Sequence, residues 1–340
     1  MPKRKKVNLA LQGGGAHGAF TWGLLDKFLE SDLFSIEGIS ATSAGSMNAA
    51  VLAYGFLKGG TEGARQALYE FWHAMSEYGT AFGITNKNPF DFFYEPILKA
   101  PLNFSLFSSI TNLLSPYQFN PLNFHPIRDV LEQEIDIEQV KNNSKIKLFI
   151  CATNVKTGKI RIFNNSELSI DALLASACLP KLFQAIEIDN EFYWDGGYLG
   201  NPAIFPLIYN TQCRDIIVFH TVPILREEIP TTTAEIDARL REVSFNSSLM
   251  REMRAIAFVG NLIDRGWIKK EFEHNLKKLF MHCIRADNSL RDCPLYSVYS
   301  PEWDFLTTLR DLGRAEASLW IEKHYDSVGH RTTIDFNEWL

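Results

Sequence analysis

The sequence predicts a three-layer α/β/α fold with a mostly parallel central sheet, and three observations carry that expectation. Short apolar runs ending in turn residues alternate with stretches of helical spacing, the pattern of strands joined by crossover helices. Turns of glycine or other small residues follow the first two strand-like runs, where strand gives way to helix. A chain of 340 residues, 46% hydrophobic and 22% charged, can bury a large core as one large or two modest domains.

"VNLALQ" (7–12) reads as the first strand, and Phe20, Leu24 and Phe28, four apart, give a helix over 19–29. "EGISAT" (37–42) reads as the second strand. Ala44, Gly45, Ala49, Ala50 and Ala53 then form a small-residue face that lets a helix lie close to a sheet. Further strands are expected at 145–154, 159–164 and 214–220, in a hairpin "AIEIDNEFYWD" turning at Asp189–Asn190, and at 278–286. Residues 233–277 form a long helical stretch, with Ile236, Leu240, Val243, Met250, Met253 and Ala257 at helical spacing. Asn201–Pro202 reads as an N-cap and first helical position. Residues 79–126 break the alternation: they are rich in Phe, Pro, Asn and Ser and poor in charge, and read either as a packed cap or as a hinged lid with Phe104 and Phe107 near an apolar path.

Composition excludes several functions. The net charge is −6, and the only basic cluster is Lys3, Arg4, Lys5 and Lys6, which argues against nucleic acid as a partner. Five widely spaced cysteines without a CxxC pair argue for reduced thiols rather than a disulfide framework or a metal site. No apolar run approaches the ~18–20 residues needed to span a bilayer, and no apolar leader follows the basic start. The expectation is a cytoplasmic protein that meets membranes peripherally, if at all.

The chemistry is concentrated in two turns. "GGGAHG" satisfies G-x-G-x-x-G at Gly13, Gly15 and Gly18 between a strand and a helix, which alone is a weak dinucleotide fingerprint. A ribose-binding acid is wanted at the end of the second strand, whereas the nearest, Glu37, stands at its start. The end of that strand holds "ATSAGS" (41–46) instead, a serine among tiny residues between strand and helix, the context of a nucleophile elbow. Both turns emerge at the carboxyl ends of neighbouring parallel strands, so backbone amides of the glycine turn can face negative charge developing beside Ser43. Asp195 ends a predicted strand, and Gly196 and Gly197 after it leave room for close approach.

The order "QGGGAHG", "ATSAGS", "SACLP" (176–180) and "DGGYLGNP" (195–202) resembles the patatin-like phospholipase family over roughly residues 7–222. That resemblance implies a Ser-Asp dyad with Ser43 as nucleophile and Asp195 as general base. It also implies an oxyanion hole built from Gly13, Gly14, Gly15 and Gly18, with Gly45, Gly196 and Gly197 supporting the motifs. The substrates implied are phospholipid or lysophospholipid esters at a membrane or micelle surface, with no metal or organic cofactor. It divides the chain into a catalytic domain over 7–222 and a helical extension over 223–340 that carries one strand, and leaves homo-oligomerisation open. Three positions depart from the family pattern: Ala41 stands where the elbow usually has a glycine, Gln12 where an acidic residue is frequent, and His17 where Arg or Lys is frequent. Two other readings stay open, an α/β-hydrolase triad of Ser43, Asp195 and His220 and a nucleotide-binding module using the glycine turn.

Overall fold

The structure, a computed structural model, describes residues 4–84, 113–272, 276–287, 289–291, 293 and 295–339. Its eight strands form one sheet: β1 Lys5–Leu11, β2 Phe34–Thr42, β3 Lys147–Asn154, β4 Ile160–Asn164, β5 Ile186–Ile188, β6 Glu191–Asp195, β7 Asp215–His220 and β8 Phe280–Arg285. They run in the order β5-β6-β3-β2-β1-β7-β8, with β4 paired to β3 off that path. Pairings β1–β2, β1–β7, β2–β3 and β7–β8 are parallel, while β3–β4, β3–β6 and β5–β6 are antiparallel. The parallel centre is apolar on both faces, as helix-covered strands must be. The antiparallel part contains the hairpin, whose turn takes left-handed φ at Asp189 (53°) and Asn190 (61°).

Alternation along the central strands sorts two cores. Leu9, Leu11, Ile217 and Phe219 point into one cluster, under α1 (Gly18–Ser31) and α2 (Ala44–Ile84). Ala10, Ile216 and Val218 point into the other. Ahead of β3 come α3 (Pro126–Glu134) and α4 (Ile137–Asn143), and α5 (Ile170–Ser176) follows β4. The second core is covered by α6 (Phe205–Asn210) and α7 (Thr233–Asp264), which bring Leu207, Leu249 and Met253. Helices therefore lie on both faces, the three layers expected. Ala49, Ala50 and Ala53 are buried, so the small-residue face of α2 does lie against the core. Among the described residues no helix is long and apolar enough to cross a membrane.

Four local features differ from the sequence reading. The Asn201–Pro202 pair does not open a helix: α6 starts at Phe205, because Glu252 of α7 accepts hydrogen bonds from Ile204 N (3.0 Å) and Phe205 N (2.7 Å) and caps that end from a distance. The long helix stops at Asp264, where Gly266 takes φ +66°, rather than continuing to 277. Its apolar stripe also splits, with Met253 and Ala257 buried but Ile236, Leu240 and Val243 exposed. Helix α2 breaks at Gly59 and Gly60, the latter at φ +61°. Phe104 and Phe107, with the rest of 85–112, lie outside the described residues. Within the described part, the short helix Pro116–Phe119 buries Pro116 and Phe119.

The last long helix, α8 (Trp303–His324), packs on α1 at a crossing made by two glycines. A β-carbon on Gly23 would strike the Arg310 carbonyl, and one on Gly313 the Phe20 carbonyl, both backbone atoms that cannot swing aside. Glycine-to-alanine inside a helix ordinarily gains about 0.8–1 kcal/mol. Here overpacking outweighs that gain, so Gly313→Ala is expected to lower stability by about 1–3 kcal/mol. Gly260, inside α7 with nothing within 4 Å of its absent β-carbon, is the control: Gly260→Ala should stabilise. Chemical denaturation of both variants checks the opposite signs.

Candidate active site

Strands β1 and β2 are parallel neighbours, so the turns that follow them leave the same edge of the sheet. The two turns pack backbone to backbone. A β-carbon on Gly13 would stand 2.6 Å from Ser43 Cβ and 2.8 Å from the Thr42 carbonyl, so only glycine permits this approach. Gly15 takes φ +58° with the Val298 carbonyl against it. Gly18 lies against Ala44 and Trp72, Gly45 against the Leu11 and Gln12 carbonyls, and Gly196 against the Cys151 carbonyl.

The four glycines of the loop do not contribute alike. The Gly13 N–H donates to Asn201 Oδ1 at 2.7 Å, and the Gly18 N–H donates into the turn that opens α1. Among the described residues, Gly14 and Gly15 therefore keep N–H groups without an intramolecular acceptor, and both line a cavity of about 380 Å³. Asn201, read from the sequence as a helix cap, instead fixes the glycine loop, and nothing local marks a partner 188 positions away.

Ser43 lines the same cavity at φ +55°, a conformation that costs a non-glycine residue energy and that a sharp strand-to-helix turn imposes. Its carbonyl accepts from Ser46 N (2.8 Å) and Met47 N (3.2 Å), which starts α2 at once. Its own N–H donates to Ser176 Oγ at 2.9 Å. Two residues on, the Cys178 carbonyl accepts from Asp195 N at 2.8 Å. The segment "SACLP", to which the sequence assigns no role of its own, is thus a bridge between the serine turn and the aspartate.

Asp195 ends β6 and is 1% exposed, with its Oδ1 accepting from Gly197 N at 2.6 Å. Its Oδ2 is buried with no hydrogen bond of standard geometry, although the Ser43 hydroxyl is near enough to favour the charged carboxylate. Burial dominates and lifts the carboxyl to about 7, against the partial offsets of the Gly197 amide and that hydroxyl. A group with this affinity accepts a proton far better than an ordinary carboxylate does.

Two histidines bear on the other readings. His17 lines the cavity, bonds Ser297 Oγ at 2.8 Å, and is lowered to about 4 by burial and then by the Arg226 charge, so it is neutral at pH 7. His220 is fully buried on the opposite face of β7, beside Val218, with Nε2 against Asn246 Oδ1 at 3.1 Å and Trp339 across its ring, and it does not line the cavity. The structure therefore does not bring His220 together with Ser43 and Asp195 in that cavity. Glu37 accepts from Gln212 N and Cys213 N, both at 2.9 Å; it is the fourth residue of β2, which begins at Phe34 rather than at Glu37, and it lies away from the glycine turn. Cys151, Cys178 and Cys213 are buried free thiols, as core residues would be.

Away from the serine much of the cavity wall is apolar, with Phe71, Met75, Phe119, Ile127, Leu179 and Leu182 among its residues, while Arg226, Arg241 and Glu242 line another part of it. A family model described as patatin-like phospholipase matches residues 9–208. Among solved structures, VipD from Legionella pneumophila resembles the chain at 14% identity with a TM-score of 0.36, over 92% of this chain and 67% of that one. No curated protein matches the chain.

Gln12, at the root of the loop, shows why an amide stands there. Its Oε1 accepts from Thr221 N and Val222 N, both at 2.8 Å, while Nε2 donates to Asn246 Oδ1 (2.9 Å) and the Asn201 carbonyl (3.3 Å). Asn246 cannot flip to help, because its Nδ2 serves the Val222 and Pro223 carbonyls. A glutamate would turn a second acceptor toward two acceptors. Gln12→Glu is thus expected to cost about 2–4 kcal/mol at pH 8. The loss should be smaller at pH 5: burial raises the carboxyl pKa, the neutral acid can donate one bond, and the stability held at low pH is lost as pH rises. Denaturation at both pH values reads the difference.

Proposed function

The chain belongs to the patatin-like phospholipase family and is a lipid acyl hydrolase, and from that premise we propose that Ser43 and Asp195 perform the cleavage on phospholipid or lysophospholipid esters. The observation that carries this reading is the pairing of a serine held at φ +55° with a buried carboxyl raised to about 7, both lining one apolar cavity.

Ser43 Oγ attacks the ester carbonyl carbon and passes its proton to Asp195, whose unpartnered Oδ2 is the acceptor to hand. The carbonyl oxygen becomes an oxyanion and takes hydrogen bonds from Gly14 N–H and Gly15 N–H, the loop amides left free. Collapse expels the alcohol, which leaves with the proton from Asp195, and the acyl group stays on Ser43. A water molecule then gives its proton to Asp195 and its oxygen to the acyl carbon. Fatty acid is released and the proton returns to Ser43 Oγ. The apolar wall holds the acyl chain, and its volume of about 380 Å³ is in the range of sites that enclose small ligands. The lipid is met at a membrane or micelle surface.

Fluorophosphonate labelling and ester hydrolysis should both be lost in Ser43→Ala with the fold unchanged, and labelling at another serine would overturn the assignment. The pH profile gives a second check. A base must be ionised, so kcat/KM on a soluble ester should fall as pH drops through about 7 and level off above it. His17 titrates near 4, so His17→Gln should leave that midpoint where it is. Stability moves the other way. A carboxyl raised in the fold favours the folded state while protonated, so stability falls as pH rises toward about 7, and an inactive Asp195→Asn variant should lack that fall.

A further inference from the structure

The cavity that holds Ser43 also contains a cation with no ion-pair or hydrogen-bond partner among the described residues. Helix α7 lends four residues to the wall, Ala238, Arg241, Glu242 and Phe245. Glu242 is fully engaged, by Arg226 at 2.6 Å and by Arg239 at 3.0 Å, so that Arg226, also in the wall, is neutralised in place. Arg241 is different. Among the described residues it has no ion pair and no hydrogen bond, although it is half-buried. His17, the other basic side chain in the wall, is neutral at pH 7. The charged groups facing this space therefore reduce to the Asp195 carboxyl and the Arg241 guanidinium.

Position along α7 relates the two. The Phe245 ring lies against Gly197, within 3.0 Å of where a β-carbon there would stand, and meets the Tyr198 ring at 5.3 Å. Phe245 thus covers the turn that follows Asp195. Arg241 stands one helical turn earlier on the same face, about 5–6 Å along the helix. Its charge is felt by the Tyr198 and Tyr299 phenols, both otherwise pushed up by burial. An unpaired guanidinium in an apolar wall is costly, and it repays that cost only when an anion arrives.

We propose that Arg241 binds the phosphate of the lipid head group and so makes the enzyme prefer phosphate-bearing over neutral lipid esters. The proposal rests on the Ser43 reading for where the scissile ester lies, but the phosphate contact can be measured without any hydrolysis. In a glycerophospholipid the phosphate is separated from the ester carbonyls by the glycerol unit alone, so one end of the molecule can lie at Ser43 while the other reaches the next turn of α7. Guanidinium suits this task because its planar fork donates two parallel hydrogen bonds to phosphate oxygens.

The test uses two non-hydrolysable probes below their micelle concentrations, dodecyl phosphate and 1-dodecylglycerol, with binding read by tryptophan fluorescence. The wild type should bind dodecyl phosphate more tightly. Arg241→Gln should lose about tenfold to hundredfold in affinity for it, the range for a hydrogen bond to a charged group, while binding of dodecylglycerol stays put. Arg241→Lys, which keeps the charge without the fork, should recover part of the loss. In kinetics, kcat/KM should fall for a lysophospholipid but not for the monoacylglycerol of the same chain. Equal loss on both probes, no loss on dodecyl phosphate, or inorganic phosphate binding as tightly as dodecyl phosphate would overturn the proposal. Hydrolysis that survives in Ser43→Ala while Arg241→Gln still loses dodecyl phosphate would instead overturn the Ser43 reading and leave the phosphate site standing.

Discussion

The contact between Gly13 and Ser43 is the constraint on which the site depends. Parallel pairing of β1 with β2 forces both following turns onto one edge of the sheet, and two turns can share that edge only if one has no side chain. With Gly13 pressed against Ser43, its N–H is captured by Asn201. The loop then continues outward with the amides of Gly14 and Gly15 exposed to the cavity. The same closeness leaves Ser43 little choice but the left-handed φ of a sharp turn. Strain at the serine and free amides beside it thus have one geometric origin.

Holding that arrangement requires polar groups in the core, and each is satisfied from far away in sequence. Gln12 ties the end of β1 to the end of β7 through Thr221 and Val222, and to α7 through Asn246. Ser40 and Thr42 of β2 donate to the Ala203 and Gly200 carbonyls, so the chain after Asp195 is sewn to the strand that carries Ser43. Asp195 keeps one oxygen without a donor, one of eight buried side-chain atoms left so among the described residues. Buried polar atoms without partners cost free energy, and what sets this one apart from the other seven is that its residue alone among them lines the cavity with the strained serine.

The eight strands were all legible, because alternation and apolar runs are local and burial on a helix-covered sheet rewards both. So were the turns holding Gly13–Gly15 and Ser43, since glycine at a close approach and small residues around an elbow are required by contacts that recur wherever that geometry does. What stayed hidden was long-range. Asn201 looked like a helix cap because Asn-Pro often is one, yet its Oδ1 is spent on Gly13, and the real cap of α6 is Glu252, 47–48 residues on. The contacts of Ser176 and Cys178 could not be read from the sequence, because they join two turns that only the fold brings together. The end of α7 was readable in principle, since the apolar spacing stops at Ala257 and Gly266 follows it with φ +66°.

The family match ends at residue 208, but the site does not. Asn246 braces Gln12, Ser248 accepts from Asn201 N, Glu252 holds the chain at Ile204 and Phe205, and all three stand on α7. The Val298 carbonyl closes on Gly15, and Ser297 fixes His17. In the proposed reaction, groups within 9–208 supply the bonds that break and form, whereas the segment after 222 supplies much of what orients them and the one unpaired cation among the described residues of the wall. Such a division lets substrate preference change through α7 without disturbing the serine turn. The His17 position bears on this division: the imidazole of the loop is neutral at pH 7, and the guanidinium that lines the same cavity stands on α7 instead, where we propose that it meets the head group.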